Sequence, residues 1–129
     1  MNKIVSAVSG MEAFHCRKSV DRKQIKEAEK DLKLKFSDEY KDYLEAFGAA
    51  SVIGHELTGM CKASRLNVVD VTNKERGYND VPEDLYVIEQ LNIDGIVIWQ
   101  NQSGIIYQTC PNGRPKKIAN SIVEYLGKY

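Results

Sequence analysis

Asp21-Arg-Lys-Gln24-Ile25-Lys-Glu-Ala28-Glu29-Lys-Asp-Leu32-Lys-Leu34-Lys-Phe36-Ser37-Asp38-Glu39-Tyr40-Lys-Asp-Tyr43-Leu44-Glu-Ala-Phe47-Gly48 reads as two capped helices in succession, the second closed by glycine. Asp21 followed three residues later by Gln24 makes a capping box, and Val20 stands where it can staple onto Ile25. Ser37 is a second N-cap, and Asp38 and Glu39 put negative charge on the positive end of the helix that follows. Tyr40, Tyr43, Leu44 and Phe47 recur at i, i+3, i+4 and i+7, one apolar stripe facing a core. Gly48 sits where the chain leaves the helix and a left-handed residue is favoured.

Outward from this pair the chain turns to strands. Residues 48–54 read as a loop into a sheet, and Gly59 follows a candidate strand. Residues 67–71 are Val-rich and read as a strand, and Thr72 with Glu75 reads as a capping box before a short helix. Tyr86, Val87 and Ile88 predict a further strand, with a turn near residues 92–95. Residues 96–100, 101–104 and 105–108 form strand, turn and strand, a β-hairpin. Alternation puts Val97 and Trp99 on one face and Ile96 and Ile98 on the other, so this strand is expected to be covered on both sides and Trp99 to be core. Residues 111–115 predict a second turn. Ala119, Ile122, Val123 and Leu126 carry the helical period of a last helix. Residues 1–19 lack clean periodicity and predict a short lead-in helix or an arm. The fold class is α+β, a mainly antiparallel sheet with N-terminal helices and a C-terminal helix packed around it.

The helix pair resembles the opening of the SUKH superfamily, which includes the yeast cell-wall-synthesis regulators and many bacterial immunity proteins. The family pattern is Ile, a Glu four residues on, a Leu, then Leu-Pro, a Tyr, an aromatic-Leu pair and a closing Gly. Ile25, Glu29, Leu32, Tyr40, Tyr43, Leu44 and Gly48 match it in order. Phe36-Ser37 stands in place of Leu-Pro, and Gly48-Ala49-Ala50 in place of Asn-Gly-Gly. Phe keeps the apolar character, and Ser caps the helix that Pro would start. The helix-strand-helix order beyond extends the resemblance over roughly residues 20–127. It implies an immunity protein: a small cytoplasmic binder of a cognate polymorphic toxin domain, often a nuclease, acting by occlusion and not by catalysis. The alternative it leaves open is a regulatory adaptor of the cell-wall type.

At 129 residues the chain suits one domain, residues 1–129, with a single core. It is 43% hydrophobic and 28% charged, which is ordinary for a globular protein. No apolar run approaches the ~20 residues of a membrane helix. The apolar start, Ile4 to Val8, falls short of the ~7–15 residues of a signal peptide's core, so a cytoplasmic location is expected. Three cysteines, Cys16, Cys61 and Cys110, form no CxxC pair, and the two histidines, His15 and His55, are far apart. That set predicts reduced thiols, no structural metal and no cofactor. A small enzyme using Cys61 or Cys110 with a histidine is the remaining catalytic reading; phosphate loops, HExxH and GxSxG are all absent.

Net charge is zero but uneven. Residues 1–35 hold nine Lys/Arg against five Asp/Glu, residues 36–100 five against twelve, and residues 101–129 four against one. A neutral chain argues against direct nucleic-acid binding, and an acidic middle suits a basic partner. Within that middle, residues 76–84 are the least regular stretch and predict an exposed loop. There Tyr78 beside Asp80, Glu83 and Asp84 combines an aromatic anchor with clustered carboxylates. Those four and Glu56 are the expected partner-binding residues. Asp38, Asp42 and Glu45, opposite the aromatic stripe, offer a second acidic edge.

Overall fold

The computed structural model describes residues 3–111 and 114–128. Of the two readings of residues 1–19, a lead-in helix or an arm, the structure has a helix, α1 (Lys3–Ser9). It precedes α2 (Arg22–Leu32) and α3 (Asp38–Phe47), the two helices of the opening stretch. Asp21 accepts from the Gln24 N–H at 2.8 Å while the Gln24 side chain accepts from the Asp21 N–H at 3.1 Å, so the capping box is complete. Ser37 accepts from the Tyr40 N–H at 3.0 Å and caps α3. Helix α3 ends at Gly48, whose φ is 70°. A Cβ there would lie 2.0 Å from the Lys18 carbonyl oxygen, so only glycine permits this close approach.

Two antiparallel sheets follow. β1 (His15–Cys16), β2 (Ala50–Val52) and β3 (His55–Glu56) form a three-stranded sheet in that order. β4 (Tyr86–Gln90), β5 (Val97–Gln100), β6 (Ile106–Thr109) and β7 (Lys116–Ala119) form a four-stranded meander. The sheets meet where Leu57 bridges Glu89 and the Thr58 N–H donates to the Ile88 carbonyl at 2.8 Å. The expected hairpin is β5–β6, with Ile98 opposite Gln108 and Trp99 opposite Tyr107. The turn expected over 111–115 has residues 112 and 113 outside the described residues.

Four expectations are corrected. Residues 48–54, expected as a loop, contain β2 (Ala50–Val52), which pairs with both β1 and β3. The Val-rich stretch 67–71 is not a strand: it opens α4 (Val68–Arg76), capped by Asn67, whose side-chain oxygen accepts from the Val69 and Asp70 N–H groups. Its β-branched residues favour strand only weakly, and a good Asn cap outweighs them. Thr72 is accordingly no cap. It lies buried inside α4, and its hydroxyl accepts from the Val87 N–H at 3.0 Å, tying α4 to β4. Ala119 belongs to β7, so α5 (Ile122–Lys128) starts later than its apolar period indicates.

The core is divided by the four-stranded sheet. Ile98, Tyr86, Ile88 and Ile106 face a large cluster with Ile25, Leu32, Phe36, the α3 stripe, Ile122 and Tyr125. Val87, Val97 and Trp99 face a small cluster completed by Val71 of α4 and Leu85. Central strand β5 is therefore apolar on both faces, and Trp99 is fully buried as expected. A bulge between Val87 and Glu89 shifts β4 and its side chains relative to β5.

Buried polar groups join these layers. Gln100 is fully buried and uses its whole amide. Its oxygen accepts from the Tyr86 and Ser37 hydroxyls at 2.7 and 3.0 Å, and its nitrogen donates to Glu39 and the Gly104 carbonyl. The Tyr43 hydroxyl donates to the Thr58 carbonyl at 2.8 Å and accepts from the Ala50 N–H at 2.7 Å. Glu29, in the position the family pattern reserves for Glu, accepts from the Phe36 N–H at 2.8 Å and fixes the link between α2 and α3.

Candidate partner-binding surface

Helix α4 ends at Gly77, and the chain runs without regular structure to Leu85 before entering β4. Several contacts give this loop a defined course. The Asn79 side chain and the Tyr78 and Asn79 N–H groups all donate to the Glu75 carbonyl. Val81 and Leu85 pack into the small core beside Trp99. Arg76 reaches across the base: its guanidinium donates to the Glu83 carbonyl at 2.7 Å, and to the Leu85 and Leu32 carbonyls at 3.5 Å. Burial lowers the Arg76 pKa, with the Glu83 charge opposing. Its Nε is buried with no hydrogen-bond partner, the one such side-chain atom among the described residues. Sequence reasoning missed Arg76, because its targets are backbone carbonyls and carry no pattern.

The predicted residues of this loop stand outward. Tyr78 is 76% exposed, the most exposed large hydrophobic among the described residues. Asp80, Glu83 and Asp84 are exposed, and among the described residues no Lys or Arg nitrogen lies within 4.0 Å of their carboxylates. The loop thus presents one aromatic ring and three carboxylates free of ion pairs on an anchored frame.

Glu56 stands on a different element from these four. It lies on β3, where its carboxylate holds both ends of the Arg65 guanidinium, and that bond depresses its pKa. Its N–H donates to Glu89 at 2.9 Å. A 120 Å³ pocket is lined by Glu56, Lys74 and Gln90, putting Glu56 beside the last turn of α4, the turn that Tyr78 follows. The other acidic edge is partly spent within the fold: Arg22 pairs with both Asp42 and Glu45, and Lys41 with Asp38.

The groups considered for catalysis are dispersed. His55 is buried, with Nδ1 2.9 Å from Glu89 Oε1, and the same oxygen accepts from the Tyr125 hydroxyl at 2.6 Å. This buried triad, unseen in the sequence because its members are 34 to 36 residues apart, fastens β3, β4 and α5 together. The Cys61 thiol is directed at the Ala63 carbonyl, and Cys16 and Cys110 are exposed. Among the described residues no group of three His, Cys, Asp or Glu is placed to hold a metal ion, and no helix is long and apolar enough to cross a membrane.

Compared with known proteins, the chain matches the SUKH_5 family model, described as SMI1-KNR4 cell-wall, over residues 1–129. No curated protein matches it.

Proposed function

The chain belongs to the SUKH family, and from that premise we propose that it is an immunity protein that binds a cognate bacterial toxin domain and neutralises it without catalysis. The observation that carries the reading is the anchored loop, with Tyr78 exposed and Asp80, Glu83 and Asp84 free of ion pairs. Ordered irregular segments are common binding elements, and an exposed aromatic ringed by polar groups suits an interface centre. Carboxylates left unneutralised inside the fold attract a basic surface, the kind a nuclease uses to hold its phosphate substrate. Occlusion of that surface would stop the toxin with no chemistry done by the inhibitor, in the cytoplasm of the cell that makes it.

The test is co-expression with the toxin domain encoded beside the gene. Cells should survive with the wild-type chain, and a stable complex should be recovered from them. Survival with no complex would overturn binding as the mechanism. A second reading, a regulatory adaptor, draws on the cell-wall description of the matched family. It predicts altered cell-wall synthesis on deletion and no toxic neighbour.

A further inference from the structure

Helix α2 carries Lys23, Lys26, Lys30 and Lys33 at i, i+3, i+7 and i+10, one flank of the helix over about 15 Å. Glu27 and Asp31 lie on its other flank. Lys26, Lys30 and Lys33, with Lys35 from the link to α3, line a groove of about 540 Å³ whose remaining walls are Glu29 and Leu34. Among the described residues none of these five lysines has a carboxylate within 4.0 Å. Glu29 is buried and committed to the Phe36 N–H.

The fold accounts for only part of this arrangement. The helix dipole favours a cation in the last turn, which covers Lys30 and the C-cap Lys33. It disfavours Lys23, in a first turn that holds no acidic residue beyond the Asp21 cap. Like charges at i+3 and i+4 spacing repel, so Lys23, Lys26 and Lys30 oppose one another. Lys33 also occupies a left-handed conformation, φ 57°, where glycine is the freer choice.

We propose that this flank is a second docking surface, opposite in sign to the acidic loop, which takes a short acidic protein segment. Leu34 offers an apolar floor for the segment's side-chain stems, and the lysines meet its carboxylates. A nucleic acid fits the surroundings poorly. The groove is short, and Glu27 and Asp31 stand on the other flank of the same helix. Past the end of α2, Arg76 joins the Leu32 and Glu83 carbonyls, so a longer polyanion would run towards Glu83 and Asp84.

The experiment measures anisotropy of a labelled peptide with about four glutamates, its glutamine counterpart and a short thymidine oligonucleotide against the full chain. The glutamate peptide is expected to bind more tightly than the other two and to weaken as salt rises. The variant K26E/K30E/K33E should lose about tenfold or more in affinity, and K26Q/K30Q, which keeps the helix formers, several-fold. A D80K/E83K/D84K variant should bind the peptide at least as well as wild type while losing toxin neutralisation, so this surface and the loop fail separately. Oligonucleotide binding equal to or tighter than the peptide's would overturn the proposal. So would no peptide binding, or unchanged affinity in a folded K26E/K30E/K33E chain.

Discussion

Glu39 Oε1, on the first turn of α3, accepts the Ile122 N–H at 2.7 Å, and its other oxygen accepts the Val123 N–H at 3.2 Å. A carboxylate from the first half of the chain therefore caps the last helix, while Ser121 accepts from the Glu124 N–H locally. Glu39 Oε1 also takes a Gln100 amide hydrogen at 2.9 Å, so α3, β5 and α5 share one group. Glu39→Ala should cost about 2 kcal/mol, since it orphans helix N–H groups and half of a buried amide. Glu39→Gln, which keeps one acceptor, should cost less. Urea midpoints of the two variants check the order, and equal midpoints would remove the cap from the stability argument.

Trp99 is fully buried, and its indole N–H donates to the Thr109 hydroxyl at 2.9 Å. Trp99→Ala should cost about 3 to 5 kcal/mol, a large part of the ~5–15 kcal/mol that holds a small domain together. Thermal melting tests this. A variant that melted like the parent yet failed to bind would make Trp99 an interface residue instead.

If the proposed immunity role holds, charge reversal at Asp80, Glu83 and Asp84 to Lys should slow association with the toxin and abolish protection with the fold intact. Binding by the parent should be faster at low salt, because screening over about 8 Å weakens steering at physiological strength. Arg76→Ala should release the Glu83 and Leu85 carbonyls and lower affinity chiefly through faster dissociation, with all three carboxylates still present. Stopped-flow association and dissociation rates separate the two effects. Unchanged affinity in the charge-reversed chain would place the interface elsewhere.

Burial raises the phenol pKa of Tyr40, Tyr43 and Tyr86 above the ordinary 10.0. The sign follows from which form the fold prefers. Below pH 10 both states hold neutral phenols and the full stability is present. Above it the unfolded phenols ionise, the folded ones do not, and stability falls as pH rises towards the folded values. Each phenol's slope grows as the unfolded phenol ionises and reaches on the order of 1 kcal/mol per pH unit well above pH 10. Urea midpoints measured from about pH 9 to pH 11 should drop steeply, with tyrosinate absorbance from these rings appearing only on unfolding. A flat profile would contradict their neutral burial.

What could be read from the chain was what acts locally. The caps at Asp21 and Ser37 and the stripe from Tyr40 to Phe47 depend on neighbours within a few residues, and the hairpin around residues 101–104 likewise. Helix α4 was misread because Val68, Val69 and Val71 look like strand until Asn67 is recognised as a cap. Strand β7 left little trace, since Lys116 and Lys117 are exposed and Ala119 shares the spacing of the helix beyond. For the candidate surface, the exposure of Tyr78, Asp80, Glu83 and Asp84 was legible from composition. The ion pair that occupies Glu56 and the Arg76 clamp were not, because Arg65 meets Glu56 across nine residues of irregular chain and Arg76 reaches backbone carbonyls, neither at a spacing that marks a contact.

The single tryptophan of the chain lies in the small core, on the side of the sheet where Val81 and Leu85 of the acidic loop also pack. The loop's footing and the indole therefore share one apolar cluster. Any event that pulls on the loop from outside alters packing around this chromophore, and its emission maximum and lifetime become an optical readout of loop engagement. No label need be attached, and the α2 groove touches this cluster only indirectly, its wall Leu34 packing in the large core on the other face of the sheet.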